Sequence, residues 1–477
     1  MRKTIHLLLS SLVVALLYGC ADDSVFTASK TDQLSFSTDT LKLDTVFSNV
    51  PSSARSMWIY NKSGNGLLCD VRQENGGTSG FRVNVDGIYL GEANQWQVSQ
   101  LELRNKDSLR IYVEVTLPTA SQSAPQQKED FLTFTLQNGT EQKICLNAWA
   151  WNAELLHGLT VTKDTTISSA TPIVIYDGLK VDSGAVLSIA AGTTLYFHNN
   201  AGVSVYGRLL CQGVAGNNVV MRGDRIDRML GDLPYDRTPG QWQGIRFFPS
   251  SFGNRLLHAD IHGTFNGVVA DSSDLDKEKI LISHSTIHNC QGVGLKVSHA
   301  DASIINSQIT NTLGDCVSID GGIVDINSST IAQFYPFDSG RGVAFHADVS
   351  KDLRRLHVNN SLITGYADRV VDLTISDSLA DWRFSHSILR MQEPALADST
   401  RFVDVVFENL KDTTTMGKSQ FKLINIDKLI YDFHLKETSA AVDKADASTS
   451  PVDDHDGNVR DDKPDIGAYE TDKHKAK

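Results

Sequence analysis

Paired cysteines are missing from this chain of 477 residues. Its six cysteines (Cys20, Cys69, Cys145, Cys211, Cys290, Cys316) are widely spaced, and none has the close Cys-x-x-Cys spacing of a zinc site. In strand patterns such residues act as small buried hydrophobes. Cys69 and Cys145, within one domain, leave a disulfide open; Cys290 and Cys316 fall at different places in their repeats, which argues against a bridge. Basic clustering is missing too. The formal net charge is -13 with no cationic stripe, which excludes a nucleic-acid partner. It also disfavours polyanionic glycans unless calcium or a local basic groove intervenes. A membrane-crossing run is absent: the apolar stretch at residues 7–17 falls short of the roughly 20 residues a bilayer needs. No EF-hand pattern occurs, because Asp453, Asp456 and Gly457 lack the acidic loop around them.

What the chain has is repetition. Between residues 256 and 390 a phrase returns: a polar residue, usually small, then a β-branched or aliphatic pair, then a second strand usually led by glycine. His284-Ser285-Thr286-Ile287 leads to Gly292-Val293-Gly294-Leu295, and Ser328-Ser329-Thr330-Ile331 to Gly342-Val343-Ala344-Phe345. The anchors Ile261, Ile287, Ile309, Ile331, Ile363 and Leu389 are 26, 22, 22, 32 and 26 residues apart. A period of roughly 20–50 residues marks a stacked architecture in which each unit buries its face against its neighbours. Two or three alternating residues per strand, with glycine or asparagine at the corners, predict parallel strands wound around a coil. Upstream, residues 56–60, 109–115 and 131–136 alternate as short strands, and Asn138-Gly139 is a hairpin signal. About seven strands there predict a β-sandwich.

Residues 178–213, with 219–225 and 239–245, resemble the opening coils of right-handed parallel β-helix proteins of the pectate-lyase-like type. That resemblance covers roughly residues 155–470. The order of phrases in 35–152 resembles immunoglobulin-like modules of bacterial surface proteins. At the front, Arg2, Lys3 and the apolar run end in Leu16-Leu17-Tyr18-Gly19-Cys20, which resembles the lipobox of bacterial lipoproteins. By that resemblance Cys20 is the lipidated first residue of the mature chain and its membrane anchor. Ala21-Asp22-Asp23 resembles a Gram-negative surface-export signal, implying a cell-surface outer-membrane lipoprotein, with a periplasm-facing one as the alternative. The stretch 453–470 resembles a terminal segment that covers the last open edge of such solenoids. The expected all-β layout is therefore a signal peptide at 1–20, a tether at 21–34 and an immunoglobulin-like β-sandwich at 35–152. A right-handed parallel β-helix follows at 153–425, a terminal coil and cap at 426–470, and a disordered tail at 471–477.

Chemistry is less plainly written. His258, His284, Asn306, Ser328, Asn360 and His386 share one ladder position, where stacked polar side chains bond one another. His258 and His284, with His262 and His288, are the only histidines that could converge on a metal; the stacking reading is preferred and no metal site is expected. No cofactor is expected either, calcium being the one ion that the β-helix enzymes leave open. Those enzymes place carboxylates on one outer face, yet Asp315, Asp320, Asp325, Asp348, Asp372 and Asp377 do not repeat in register. Lys296 and Arg341 are the bases a lyase would use, so Lys296, Arg341, Asp315 and Asp320 are the catalytic candidates. The loop 224–239 carries Arg225, Arg228, Tyr235 and Arg237 and is followed by Trp242, a set suited to gripping a sugar. The bland alternative is a salt-linked loop. Trp58, Trp96, Trp149 and Trp151 read as core or domain-junction aromatics. The function expected is a non-catalytic binding or structural module presenting a β-helix surface to a glycan or protein partner. The alternative is a polysaccharide lyase or glycoside hydrolase.

Overall fold

The computed structural model describes residues 26–471 apart from 28, 120–123, 231–232, 338–339, 350–351, 368–369, 376–379, 395–399 and 412–416. Cys20, the lipobox, Asp22, Asp23, Asp377 and the tail beyond Thr471 lie outside the described residues. The chain divides at Asn152/Ala153 into two units, and among the described residues no helix is long and apolar enough to cross a membrane.

The first unit is a β-sandwich of two five-stranded sheets rather than seven strands in all. One sheet runs Leu34–Phe36, Arg55–Asn61, Ser108–Val115, Phe81–Val85, Ile88–Leu90. The other runs Thr40–Phe47, Glu141–Trp151, Gln126–Leu136, Leu67–Gln73, Gln97–Leu103, and its first pair is parallel. Alternation does the sorting: in Ser108–Val115, Leu109, Ile111, Val113 and Val115 turn inward while Arg110 and Tyr112 face out. Residues 29 to 34, within the stretch expected as tether, are already held, since Asn138 Nδ2 donates to Ser29 O (2.6 Å) and Asp32 O (3.0 Å). Cys69 and Cys145 are both free thiols, Cys69 buried and Cys145 half-buried. They take opposite faces of their sheet, because Cys69 alternates with the inward residues of its strand and Cys145 with the outward ones of its own.

The second unit is a right-handed parallel β-helix built from three ladders. Ladder A passes through Thr194–Phe197, Val219–Gly223, Ala259–His262 and onward to Val406–Phe407. Ladder B passes through Val203–Val205, Ile245–Phe247 and Val268–Ala270 to Val371–Ile375. Ladder C runs from Thr165–Ile167 to Phe402–Val403. The sequence anchors fall in one register column, Ile261↔Ile287↔Ile309↔Ile331↔Ile363↔Leu389, each fully buried. Ladder C stacks Cys211, Leu256, Ile282, Ile304, Ile326, Val358 and Phe384 in the same way, ending on the half-buried Phe402. Burial pushes the Cys290 and Cys316 thiols up to about 12, so both behave as the inert hydrophobes the sequence suggests.

Ladders C and A meet at a one-residue corner. His258, His284, Asn306, Ser328, Asn360 and His386 sit there with φ between 43° and 52°, a left-handed conformation that non-glycine residues adopt at a cost. The stack repays it. Each corner N–H donates to the next coil, as Asn306 N to Asn327 O at 3.1 Å, and the His258 and His284 rings stack at 4.7 Å. One residue on, Ser285, Ser307, Ser329, Ser361 and Ser387 turn inward at 0–1% exposure. The backbone N–H groups of Ser285, Ser307, Ser329 and Ser361 each donate to the serine of the next coil, at 3.0–3.3 Å. Each hydroxyl donates back to the carbonyl two residues before it, at 2.7–3.0 Å.

The terminal segment lies along the side of the solenoid. Among the described residues the ladders end at Val406–Phe407, and Phe421–Asn425 pairs antiparallel with Ile430–Leu435, so the expected boundary at 425 falls inside a hairpin. Phe421, Phe433, Leu435, Ile466, Ala468 and Tyr469 pack on Ala332, Leu362 and Ile388, the outward residues of ladder A. Arg460, 2% exposed, then ties the segment to the corner column by donating to Asn306 Oδ1 (3.1 Å) and Gly467 O (2.9 Å) and pairing with Glu470 (3.0 Å).

Candidate functional site

The outer face of ladder B forms an open groove of about 930 Å³. Its floor is the outward column Thr160↔Lys180↔Ser204↔Arg246↔Val269↔Lys296, which register continues beyond the groove through Ser318, His346 and Asp372. Basic side chains therefore recur on every second rung, at Lys180, Arg246, Lys296 and His346, with spacers between. Rungs about 4.8 Å apart put the successive cations Lys180, Arg246 and Lys296 about 9.6 Å apart. Beside them, the Tyr206 and Phe248 rings stack at 4.1 Å, with Lys180 Nζ 5.5 Å above one and the Arg246 guanidinium 5.0 Å above the other. Carboxylates near the floor are held by bases: Asp271 by Arg246 (2.9 Å), Asp182 by Lys180 (2.8 Å) and Asp177 by His157 (3.4 Å). The Asp182 carboxylate holds the Lys180 ammonium above its ordinary pKa.

Of the four catalytic candidates, only Lys296 lines this groove. Asp315 accepts from Val343 N (2.9 Å) and sits 2.9 Å from His346 Nδ1, fixing the turn into the next coil. Arg341 donates to Tyr335 O at 3.0 Å and lies 4.5 Å above the Tyr366 ring. Asp320 ends its ladder B strand opposite Ser298.

The loop 224–239 turns toward ladder A. Arg225 grips the buried Asp227 through two bonds (2.9 and 2.6 Å) and covers the Tyr235 ring at 4.4 Å. Arg237 donates to Lys428 O at 3.1 Å, and Arg228 belongs to the short pair Arg228–Leu230 with Leu233–Pro234. Trp242 corrects the expected sugar platform. It is 1% exposed, stacks on Phe197 at 4.3 Å and donates to His262 O at 2.8 Å, so no ligand can reach its face. Conversely, Trp58 and Trp149, read as core or junction aromatics, are 38% and 40% exposed on outer sheet faces. Trp151 packs on Phe47 at 6.0 Å, and the Trp96 ring covers Gly76 and Gly77.

A second constellation lies where loop 224–239 meets ladder A. Asp260 and His262 face out from Ala259–His262, and register sets His288 one rung above His262, the rings stacking at 4.7 Å. His262 Nδ1 lies 2.8 Å from Asp260 Oδ1 and His288 Nε2 lies 3.3 Å from the same oxygen. On its other side His262 Nε2 meets Asp236 Oδ1 at 2.8 Å, and Arg222 Nη1 meets that oxygen at 2.8 Å. Although burial opposes charge, the two flanking carboxylates raise the His262 imidazole to about 9. Against the same burial, His262 and Arg222 lower Asp236 to about 2. The sequence named both histidines; Asp236 and Asp260 carried no signal, one being a loop acid and the other an unremarkable strand position.

No protein-family model matches the chain, and no match was found among curated proteins. Among solved structures it is similar to pectate lyase Pel9A, at 10% identity over 67% of this chain and 88% of that one, with a TM-score of 0.31. A GH87 α-1,3-glucanase catalytic domain gives 11% identity over 75% and 88%, with a TM-score of 0.21. A family 123 glycoside hydrolase from Clostridium perfringens gives 7% identity and a TM-score of 0.18, and the chain spans about a quarter of its length (26%). None of these similarities reaches a level at which activity is transferable. The ladders themselves define the class: an all-β protein whose larger unit is a right-handed parallel β-helix. Its smaller unit is an antiparallel-rich β-sandwich.

Proposed function

We propose that this is a lipid-anchored envelope protein that binds, without cleaving, an extended acidic polysaccharide laid along ladder B. The observation that carries the reading is the basic residue on every second rung of one outward column. An anionic polymer aligned with the solenoid would meet Lys180, Arg246 and Lys296 at two-coil intervals, while Tyr206 and Phe248 offer ring surface to its sugars. The net charge of -13 would repel such a polymer; Lys180 and Arg246 would have to exchange their contacts with Asp182 and Asp271 for the polymer's carboxylates, with Lys296 adding a further cation on the same column. Binding is favoured over turnover because the acids beside the column are paired with bases. Hydrolysis needs two carboxyl groups set roughly 5–9.5 Å apart across the scissile bond. The lipid at Cys20 would hold the chain at the outer membrane, facing the cell surface, with a periplasmic orientation as the alternative.

The test is retention of the full chain on immobilised acidic and neutral polysaccharides over a salt series. The acidic columns should retain the protein. Replacing Lys180, Arg246 and Lys296 by alanine should weaken retention about tenfold or more and flatten its salt dependence, since the lost contacts are charge contacts. Undiminished retention in the folded triple variant would remove the groove. New reducing ends or unsaturated uronates would establish the lyase or hydrolase instead, with Lys296 the first residue to replace.

A further inference from the structure

The cluster at Asp260, His262 and His288 has no place in the polysaccharide reading. Its donors come from two adjacent rungs of ladder A, and one ligand atom from each lies within 4.8 Å of the others. We propose that Asp260, His262 and His288 form a binding site for a zinc-like divalent cation, with a fourth position left for water or an outside ligand. Bonds of roughly 2.0–2.1 Å in a tetrahedron set donor atoms about 3.3 Å apart. His288 Nε2 and Asp260 Oδ1 are at 3.3 Å, and His262 Nδ1 at 2.8 Å from that oxygen needs to open by only about half an ångström.

Two imidazoles and one carboxylate select a borderline-soft ion over calcium or magnesium, which take oxygen. The surroundings fit as well. His262 can donate its Nε2–H to Asp236, whose carboxylate is itself held by Arg222, which orients the ring, and the cation takes the place of the Nδ1 proton shared with Asp260, releasing it to solvent. A carboxylate behind a ligating histidine is how metal sites fix tautomer and basicity. The side chains of His288 and Asp260 keep 25% and 30% of their surface, so the position opposite the protein ligands is open to solvent.

The experiment is titration of the chelator-treated full chain with Zn2+ by calorimetry, and with Co2+ by visible absorption. One equivalent should bind at micromolar or tighter affinity, Co2+ should give the intense bands of a four-coordinate ion, and Zn2+ should raise the melting temperature by several degrees. His288→Ala and Asp260→Asn should each weaken binding about 100-fold. His288 lies at the solvent edge of ladder A with a quarter of its side-chain surface exposed, so its variant should melt close to the metal-free parent and keep its polysaccharide retention. His434→Ala, outside the cluster, should bind as the parent does. Absence of saturable binding, an octahedral Co2+ spectrum, or affinity unchanged in both ligand variants would overturn the site.

Discussion

Ser329 shows how much a single small residue does inside this solenoid. Its hydroxyl accepts from Ser307 N at 3.2 Å, donates to Asn327 O at 3.0 Å and sees no solvent. Ser329→Ala leaves the buried Ser307 N–H without its acceptor, while Asn327 O keeps Asn306 N at 3.1 Å, so we expect a loss of about 1–3 kcal/mol, read from denaturant midpoints at unchanged slope. Its neighbour Ser328 is the corner residue, at φ 47°. Ser328→Gly should be close to neutral, because glycine adopts that φ freely. Ser328→Val should cost more than Ser328→Ala, the β-branch adding to a left-handed strain of about 1–2 kcal/mol. The corner column was legible because stacking returns one residue class to one position. The inward turn of the serines was not: Ser-Ser and His-Ser look alike on paper, and only the backbone decides which of the two points to the core.

At the scale of elements, the terminal segment is held to the coils by charge as much as by its apolar face. His455 reaches Thr286 Oγ1 at 3.0 Å, and Asp456 accepts from His434 (2.8 Å) and His455 (3.0 Å). Asp456 and Asp432 raise the His434 imidazole above its usual 6.5, while the two histidines hold the Asp456 carboxyl well below its usual 3.8. A raised histidine stabilises fully below 6.5 and its contribution fades as pH climbs through the folded value. A lowered carboxyl stabilises above 3.8 and fades as pH falls. The His434–Asp456 contribution to the protection of residues 430–471 from proteolysis should therefore be greatest between about pH 4 and 6.5, and His434→Ala should lessen the alkaline decline, the rest of which comes from Glu470, whose carboxyl burial raises to about 7. Arg460→Ala should be harsher, costing roughly 3–5 kcal/mol, since it strands the buried Glu470 and frees Asn306 Oδ1. The resemblance of 453–470 to a terminal solenoid segment marked this stretch in the sequence. Its lateral course along the corner column was hidden, because the contacts join residues more than 100 positions apart.

Over the whole molecule, regularity made the fold readable and the groove unreadable. The buried anchors announce themselves because every coil must fill the same interior with similar side chains. The outward column of ladder B answers to no packing rule, so Lys180, Arg246 and Lys296 stand among ordinary strand residues until the register aligns them. The same stacking sets how the molecule should fail. In a solenoid each coil is stabilised mainly by its two neighbours. Ile309, fully buried mid-column, touches the layers of Ile287 and Ile331, so Ile309→Ala should cost about 2–5 kcal/mol. The loss should stay local at first. Amide exchange should quicken over residues 286–333, spread outward by whole coils as denaturant rises, and leave the sandwich, with its own core, unchanged. Uniform acceleration through both units would mean a single cooperative block; acceleration confined to the mutated coil and its neighbours would show that stability here is held coil by coil.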